Sequence, residues 1–186
     1  MTWIQRINCL VALTGLAISS PAVAQTEALE ALSAGQAVAM IRHALAPGTG
    51  DPGNFRIDDC STQRNLSDAG RDQARRIGEW FRARGIDQAN VNSSQWCRCL
   101  ETARLMALGT VTELPALNSF FADRSKEPEH VRDMKELLTR VRDEKPEIWV
   151  THQVNITALT GVFPLSGEIL IIDRNDLSML HREVVR

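Results

Sequence analysis

Apolar residues in this chain fall in short blocks separated by longer stretches of mixed polarity. The block Ala37-Val38-Ala39-Met40-Ile41 ends abruptly in Arg42, His43 and Ala44. It is too short for a helix and reads as a strand buried on both faces, delivering polar groups at its carboxyl end. Ala44 to Asn54 then holds three glycines and two prolines, which bar regular structure and predict a loop over that strand end. Ser67 and Asp68 open a helix whose apolar face carries Ala69, Ile77, Trp80 and Phe81, and Gly85 closes it; its arginines read as a solvated face. Ile86 to Asn92 reads as a second strand, and Cys97 to Leu108 as a second helix after a polar turn. From Thr112 to Glu129 the period weakens, predicting a short strand and an excursion loop. His130 to Arg142 reads as a third helix with His130 facing solvent, stopped by Glu144-Lys145-Pro146. Ile148 to Thr151 forms another strand that ends in His152, with a helix beginning near Asn155. Gly167 to Ile172 is a further strand, and Met179 to Val185 is placed beside it as an edge hairpin. Strands alternating with helices predict a three-layer α/β/α sandwich with a mainly parallel sheet.

Composition narrows the setting. The chain has 186 residues, of which 44% are hydrophobic and 24% charged, which suits one globular domain. A formal charge of -2 gives no reason to expect a nucleic-acid partner. Residues 1–24 have the form of a signal peptide: Arg6 near the start, an apolar run from Ile7 to Ile18, and small residues in Ala22-Val23-Ala24 before a cut at Gln25. That run is short for a bilayer core of roughly 30 Å, so no stable membrane span is expected once it is removed. The expectation is a domain over residues 25–186 in the periplasm or outside the cell. Export makes the cysteines readable as a disulfide set, and Cys60, Cys97 and Cys99 imply one bridge and one buried thiol, with Cys60 joined to Cys97 or Cys99. Cys97 and Cys99 are poorly spaced for zinc, and no histidine pair completes them; neither a metal nor another cofactor is expected.

The chemistry follows from the architecture. Chemistry in open α/β sheets gathers at the carboxyl ends of strands. There Arg42, His43 and His152 would meet Arg98, a cation in the first helical turn after the polar segment. Two guanidiniums and two imidazoles at one point match the several oxygens of a phosphoryl group. Without metal ligands or a Walker-type loop, the nucleophile must come from the protein, and a neutral imidazole can serve. No G-x-S-x-G elbow points to a serine hydrolase.

Four segments carry a resemblance: Arg42-His43, Leu66 to Ala74, Ser94 to Ala103, and Val150 to Ile156. In this order the chain resembles the histidine phosphatase superfamily, with its phosphoglycerate-mutase-like fold. The resemblance implies that His43 becomes phosphorylated, that Arg42 and Arg98 hold phosphoryl oxygens, and that His152 completes the pocket. It also favours Cys97 as the partner of Cys60. Ala44 departs from the usual glycine after Arg-His. Where many small members place a glutamate proton donor, Leu117-Asn118-Ser119 offers a serine, leaving Asp123 or Glu127 as the nearest acids. The implied activity is a metal-independent phosphomonoesterase acting on a small phosphorylated compound or an envelope glycan phosphate. The alternative is a catalytically weak phosphate- or phosphosugar-binding protein that keeps the pocket.

Overall fold

In the computed structural model, residues 21–140 and 145–186 are described. The first 20 residues of the expected signal peptide lie outside them, as do Val141 and Arg142 at the expected end of the third helix. The elements are α1 (Pro21–Ser33), β1 (Ala37–Arg42), α2 (Asp68–Arg82), β2 (Asn90–Ser93), α3 (Cys97–Met106), β3 (Val111–Glu113), α4 (Glu127–Leu138), β4 (Glu147–Thr151), α5 (Gln153–Thr160), β5 (Glu168–Asp173) and β6 (Met179–Val184). The hydrophobic pattern predicts nothing for α1. Its Ala28 and Leu32 are nevertheless fully inside.

The strands form one sheet in the order β3-β2-β4-β1-β5-β6. Strand alternation sends Ala37, Ala39 and Ile41 to one face and Val38 and Met40 to the other, so both faces of β1 are apolar and both need a cover. On the first face lie α1, α2 and α3, with Ile77, Phe81 and Met106 in the core. On the second lie α4 and α5, with Met134, Leu137 and Ile156. Each such side chain contributes about 1.5–3 kcal/mol by leaving water. The three layers are therefore as expected.

The sheet is mixed, and the expectation of a mainly parallel one is corrected. Neighbours among β3, β2, β4 and β1 are parallel, but β5 is antiparallel to β1 and to β6. The reason lies in α5. With eight residues it rises about 12 Å, too little to carry the chain back to the amino end of the sheet. Gly161, in the left-handed region at φ 74°, turns the chain instead, and Gly167 N–H donates to the carbonyl of Arg42 at 3.1 Å. β5 thus enters at the carboxyl end of β1 and runs down. The expected β5–β6 hairpin is present.

Three details differ locally. Strand β2 begins at Asn90, not Ile86, and α4 begins at Glu127, with Pro128 in its first turn where no N–H is needed. His130 is not solvent-facing: it is half-buried, its Nδ1 lies 3.2 Å from the carbonyl of Ala116, and its ring centroid is 5.5 Å from that of Phe120.

Candidate active site

The carboxyl ends of β1, β2 and β4 come together, and the four expected polar residues meet there. Arg42 is the last residue of β1 and His43 the next, held by its N–H on the carbonyl of Thr151 in β4 at 3.0 Å. His152 follows β4 as the N-cap of α5. Ser94 follows β2, and its Oγ lies 2.8 Å from Nε2 of His152. Arg98 sits in the first turn of α3, whose Cys97 N–H is satisfied from a distance by Oε1 of Gln63 at 3.0 Å. The rings of His43 and His152 lie edge to face, with centroids 5.6 Å apart. All four residues line one cavity of about 940 Å³.

The orientation of His43 is chemically informative. Its Nδ1 lies 2.8 Å from the carbonyl of Ala44. A carbonyl can only accept, so Nδ1 carries the proton and Nε2 of the neutral ring presents its lone pair. Burial, and then the charge of Arg98, push the basicity of both His43 and His152 well below the usual imidazole value of 6.5. Both rings are therefore neutral at pH 7. Ala44 N–H is tied to Oγ1 of Thr102 at 3.0 Å, which fixes the carbonyl that orients the ring.

Two further groups belong to the site and carry no signal in the sequence. Asp51, on the glycine-rich loop after β1, takes Nη1 and Nη2 of Arg98 at 2.7 and 3.2 Å and accepts from Trp96 Nε1 at 3.0 Å. Burial pushes its carboxyl up, but the hydrogen bonds and charge of Arg98, helped by Arg64 N–H and Trp96, bring it below the usual carboxylate range. Arg64 is the second, lining the cavity with its Nε on the carbonyl of Gly50 at 2.8 Å. Burial, then Arg98, lowers the basicity of Arg42 and of Arg64. Among the described residues, Nε of Arg42 and Nε of Arg98 are buried without a partner.

The two candidate acids stand apart from each other. Asp123 lines the cavity but is exposed, and it caps the 3-10 turn Arg124–Lys126, accepting from Ser125 N and Oγ at 3.1 and 2.6 Å. The Ser125 bonds hold its carboxyl below the usual range. Glu127 does not line the cavity; it faces Arg124 across 3.8 Å. Cys60 and Cys97 form the disulfide, with Cα atoms 5.7 Å apart, joining the 3-10 turn Cys60–Thr62 to the start of α3. Cys99 is free and buried, its Sγ 3.5 Å from Nε2 of His152, and burial pushes its thiol up to about 12. Among the described residues no group of His, Cys, Asp and Glu is placed to hold a metal ion, and no helix is long and apolar enough to cross a membrane.

Comparison with known proteins gives a consistent set. Residues 38–120 match the family model of the histidine phosphatase superfamily, branch 1. No curated protein matches the chain in sequence. Among solved structures, TTHB049 from Thermus thermophilus is similar with a TM-score of 0.58 at 16% identity, over 80% of this chain and 99% of that one. The mycobacterial glucosyl-3-phosphoglycerate phosphatase Rv2419c, complexed with VO3, gives 0.56 at 14% identity, over 74% and 91%. The protein histidine phosphatase SixA, complexed with tungstate, gives 0.52 at 16%, over 78% and 95%. At these identities the likeness is one of fold.

Proposed function

We propose, for a chain that belongs to the histidine phosphatase superfamily, a metal-independent phosphomonoesterase that works through a phosphohistidine at His43. The observation that carries the proposal is the fixed, neutral imidazole of His43, with Nδ1–H on the Ala44 carbonyl, set among Arg42, Arg64 and Arg98. Nε2 attacks phosphorus while the bond to the ester oxygen breaks, and the departing alkoxide takes a proton from a carboxylic acid, with Asp123 assigned that role. Water then attacks the phosphohistidine as the N–P bond breaks, giving a proton back to the Asp123 carboxylate, releasing phosphate and restoring the neutral ring. The unpartnered Nε–H groups of Arg42 and Arg98 are donors that phosphoryl oxygens would satisfy, and charge growing on those oxygens strengthens such bonds in the transition state. His152 completes the wall on the far side of the phosphoryl group.

The substrate class is a small phosphorylated compound, envelope glycan phosphates included, because the reading also takes the chain as exported and cut before Gln25, in the periplasm or beyond the cell. A cut there would leave the part of α1 that carries Ala28 and Leu32 in the core. A second reading, a weak phosphate- or phosphosugar-binding protein, draws support from the state of the acids: Asp123 is held ionised by Ser125, and Asp51 is engaged with Arg98. Incubation with a radiolabelled phosphomonoester followed by alkaline quench separates the two. The enzyme should yield an acid-labile label on His43 and lose at least about 10³-fold of its turnover in His43→Ala. Turnover near the parent's level in a folded His43→Ala protein rejects the phosphohistidine route, and binding with no trapped label supports the second reading.

A further inference from the structure

The chain has five phenylalanines and no tyrosine. Phe81 is in the core, and the other four, Phe55, Phe120, Phe121 and Phe163, all line the cavity above His43. They come from three separate segments: the loop after β1, the excursion after β3, and the turn between α5 and β5. Phe121 is 45% exposed and Phe163 64%. A ring left in water forgoes much of the hydrophobic stabilisation that burial gives, and apolar surface gathered at a cavity mouth marks a binding site. Phe121 is braced there, since its Cε1 lies 3.8 Å from where a Cβ on Gly50 would stand, and the guanidinium of Arg124 sits 5.7 Å from the rings of both Phe120 and Phe121.

Three of the polar groups beside these rings are engaged within the protein, while Thr49 and Lys126 line the cavity as well. Ser119 Oγ accepts from Phe121 N–H at 3.2 Å, Asp123 holds Ser125, and Gln153 Nε2 donates to Thr157 Oγ1 at 3.0 Å. A hydroxyl-rich leaving group needs convergent free donors and acceptors, and a mouth of unsubstituted rings offers few. The cavity, about 940 Å³, is far larger than a phosphoryl group needs. We infer that the substrate is the phosphomonoester of an apolar alcohol, whose alkyl or aryl part lies among Phe55, Phe121 and Phe163, with the buried Phe120 behind them. Its phosphoryl group reaches Arg42, Arg98 and His43. The inference rests on the phosphatase reading for the direction in which the substrate lies, and it selects the apolar members of the class over sugar and glycan phosphates.

Calorimetric titration with ethylphosphonate and hexylphosphonate, neither of which can be hydrolysed, tests the mouth apart from catalysis. Hexylphosphonate should bind at least about tenfold tighter, short of the roughly 200-fold that complete burial of four methylenes would give. In the double variant Phe121→Ala/Phe163→Ala that advantage should fall to about threefold or less, with ethylphosphonate unaffected; removing two exposed rings opens no core cavity. Equal affinity for both phosphonates, or the full advantage kept in the double variant, overturns the inference. Turnover assays with hexyl phosphate and glucose 6-phosphate separate the two readings. Faster hydrolysis of the sugar ester keeps the phosphatase and rejects the apolar mouth, whereas tight hexylphosphonate binding with no hydrolysis of either ester keeps the mouth and rejects the phosphatase. Failure to bind either phosphonate rejects both.

Discussion

At the scale of single residues the question left by the site is the source of a proton. Asp51 lines the same cavity as His43 but is committed to Arg98 and Trp96, so its place in the site is to hold the guanidinium of Arg98. Asp123 lines the cavity, with one carboxylate oxygen engaged by Ser125. If it supplies the proton, Asp123→Asn should slow alkyl phosphates by about 10² or more and aryl phosphates little, since a phenolate leaves without help. Equal slowing of both ester types would show that Asp123 only shapes the turn. Arg42, His43, Arg98 and His152 were legible because each ends an apolar block or opens a helix, where the architecture gathers polar groups. Asp51 and Arg64 were not, because an aspartate or arginine in irregular chain has no period to betray which way it faces. Asp51 stands in a Gly-Thr-Gly-Asp-Pro stretch that reads only as a turn.

Elements show the same division. Strand and helix identities followed from period and caps: Ser67 does cap α2, its Oγ accepting from Gly70 N–H at 3.1 Å. The direction of β5 did not follow, because it depends on how far α5 reaches, and α1 went unread because no clear apolar stripe marks it. Contact between elements makes its own prediction. Gly78 is inside α2, where alanine has a helix propensity better by about 1 kcal/mol. A Cβ there would stand 2.0 Å from the carbonyl oxygen of Met106, at the end of α3, so the two helices would have to separate. Gly78→Ala should therefore destabilise the protein by at least about 2 kcal/mol, reversing the sign that propensity alone gives, as urea unfolding can measure. An unchanged midpoint would mean that α3 yields at no cost. The bridge between the Cys60 turn and α3 closes a ring spanning 37 positions, for which the chain-entropy model gives stabilisation of roughly 4 kcal/mol. Thiol titration of the denatured, unreduced protein starting at Gln25 should find one reactive group, from Cys99, and three after reduction.

For the whole molecule, the two buried imidazoles couple the site to folding. In the unfolded chain both regain a value near 6.5, while in the folded protein burial keeps both well below it. Below about pH 6.5 the unfolded state thus binds more protons, and stability falls with falling pH by up to about 1.4 kcal/mol per unit for each ring until the folded pKa is passed. Urea midpoints at pH 7 and pH 5.5 should show that drop, and His152→Gln should reduce it; a drop of the same size in the variant would assign it to other groups. The site itself is assembled from both ends of the chain, His43 before the disulfide ring and His152 after it, with Arg98 just past the second cysteine. That arrangement bears on survival among proteases. The tip between α2 and β2, at Arg84 and Gly85, is exposed and lies inside the ring. A protease that cuts there leaves two pieces still joined covalently through Cys60 and Cys97, so the nicked protein runs as one band on a gel until it is reduced. The fragment bearing His43 stays tethered to the one bearing Arg98 and His152, and a single cut inside the ring cannot let the two halves of the pocket diffuse apart.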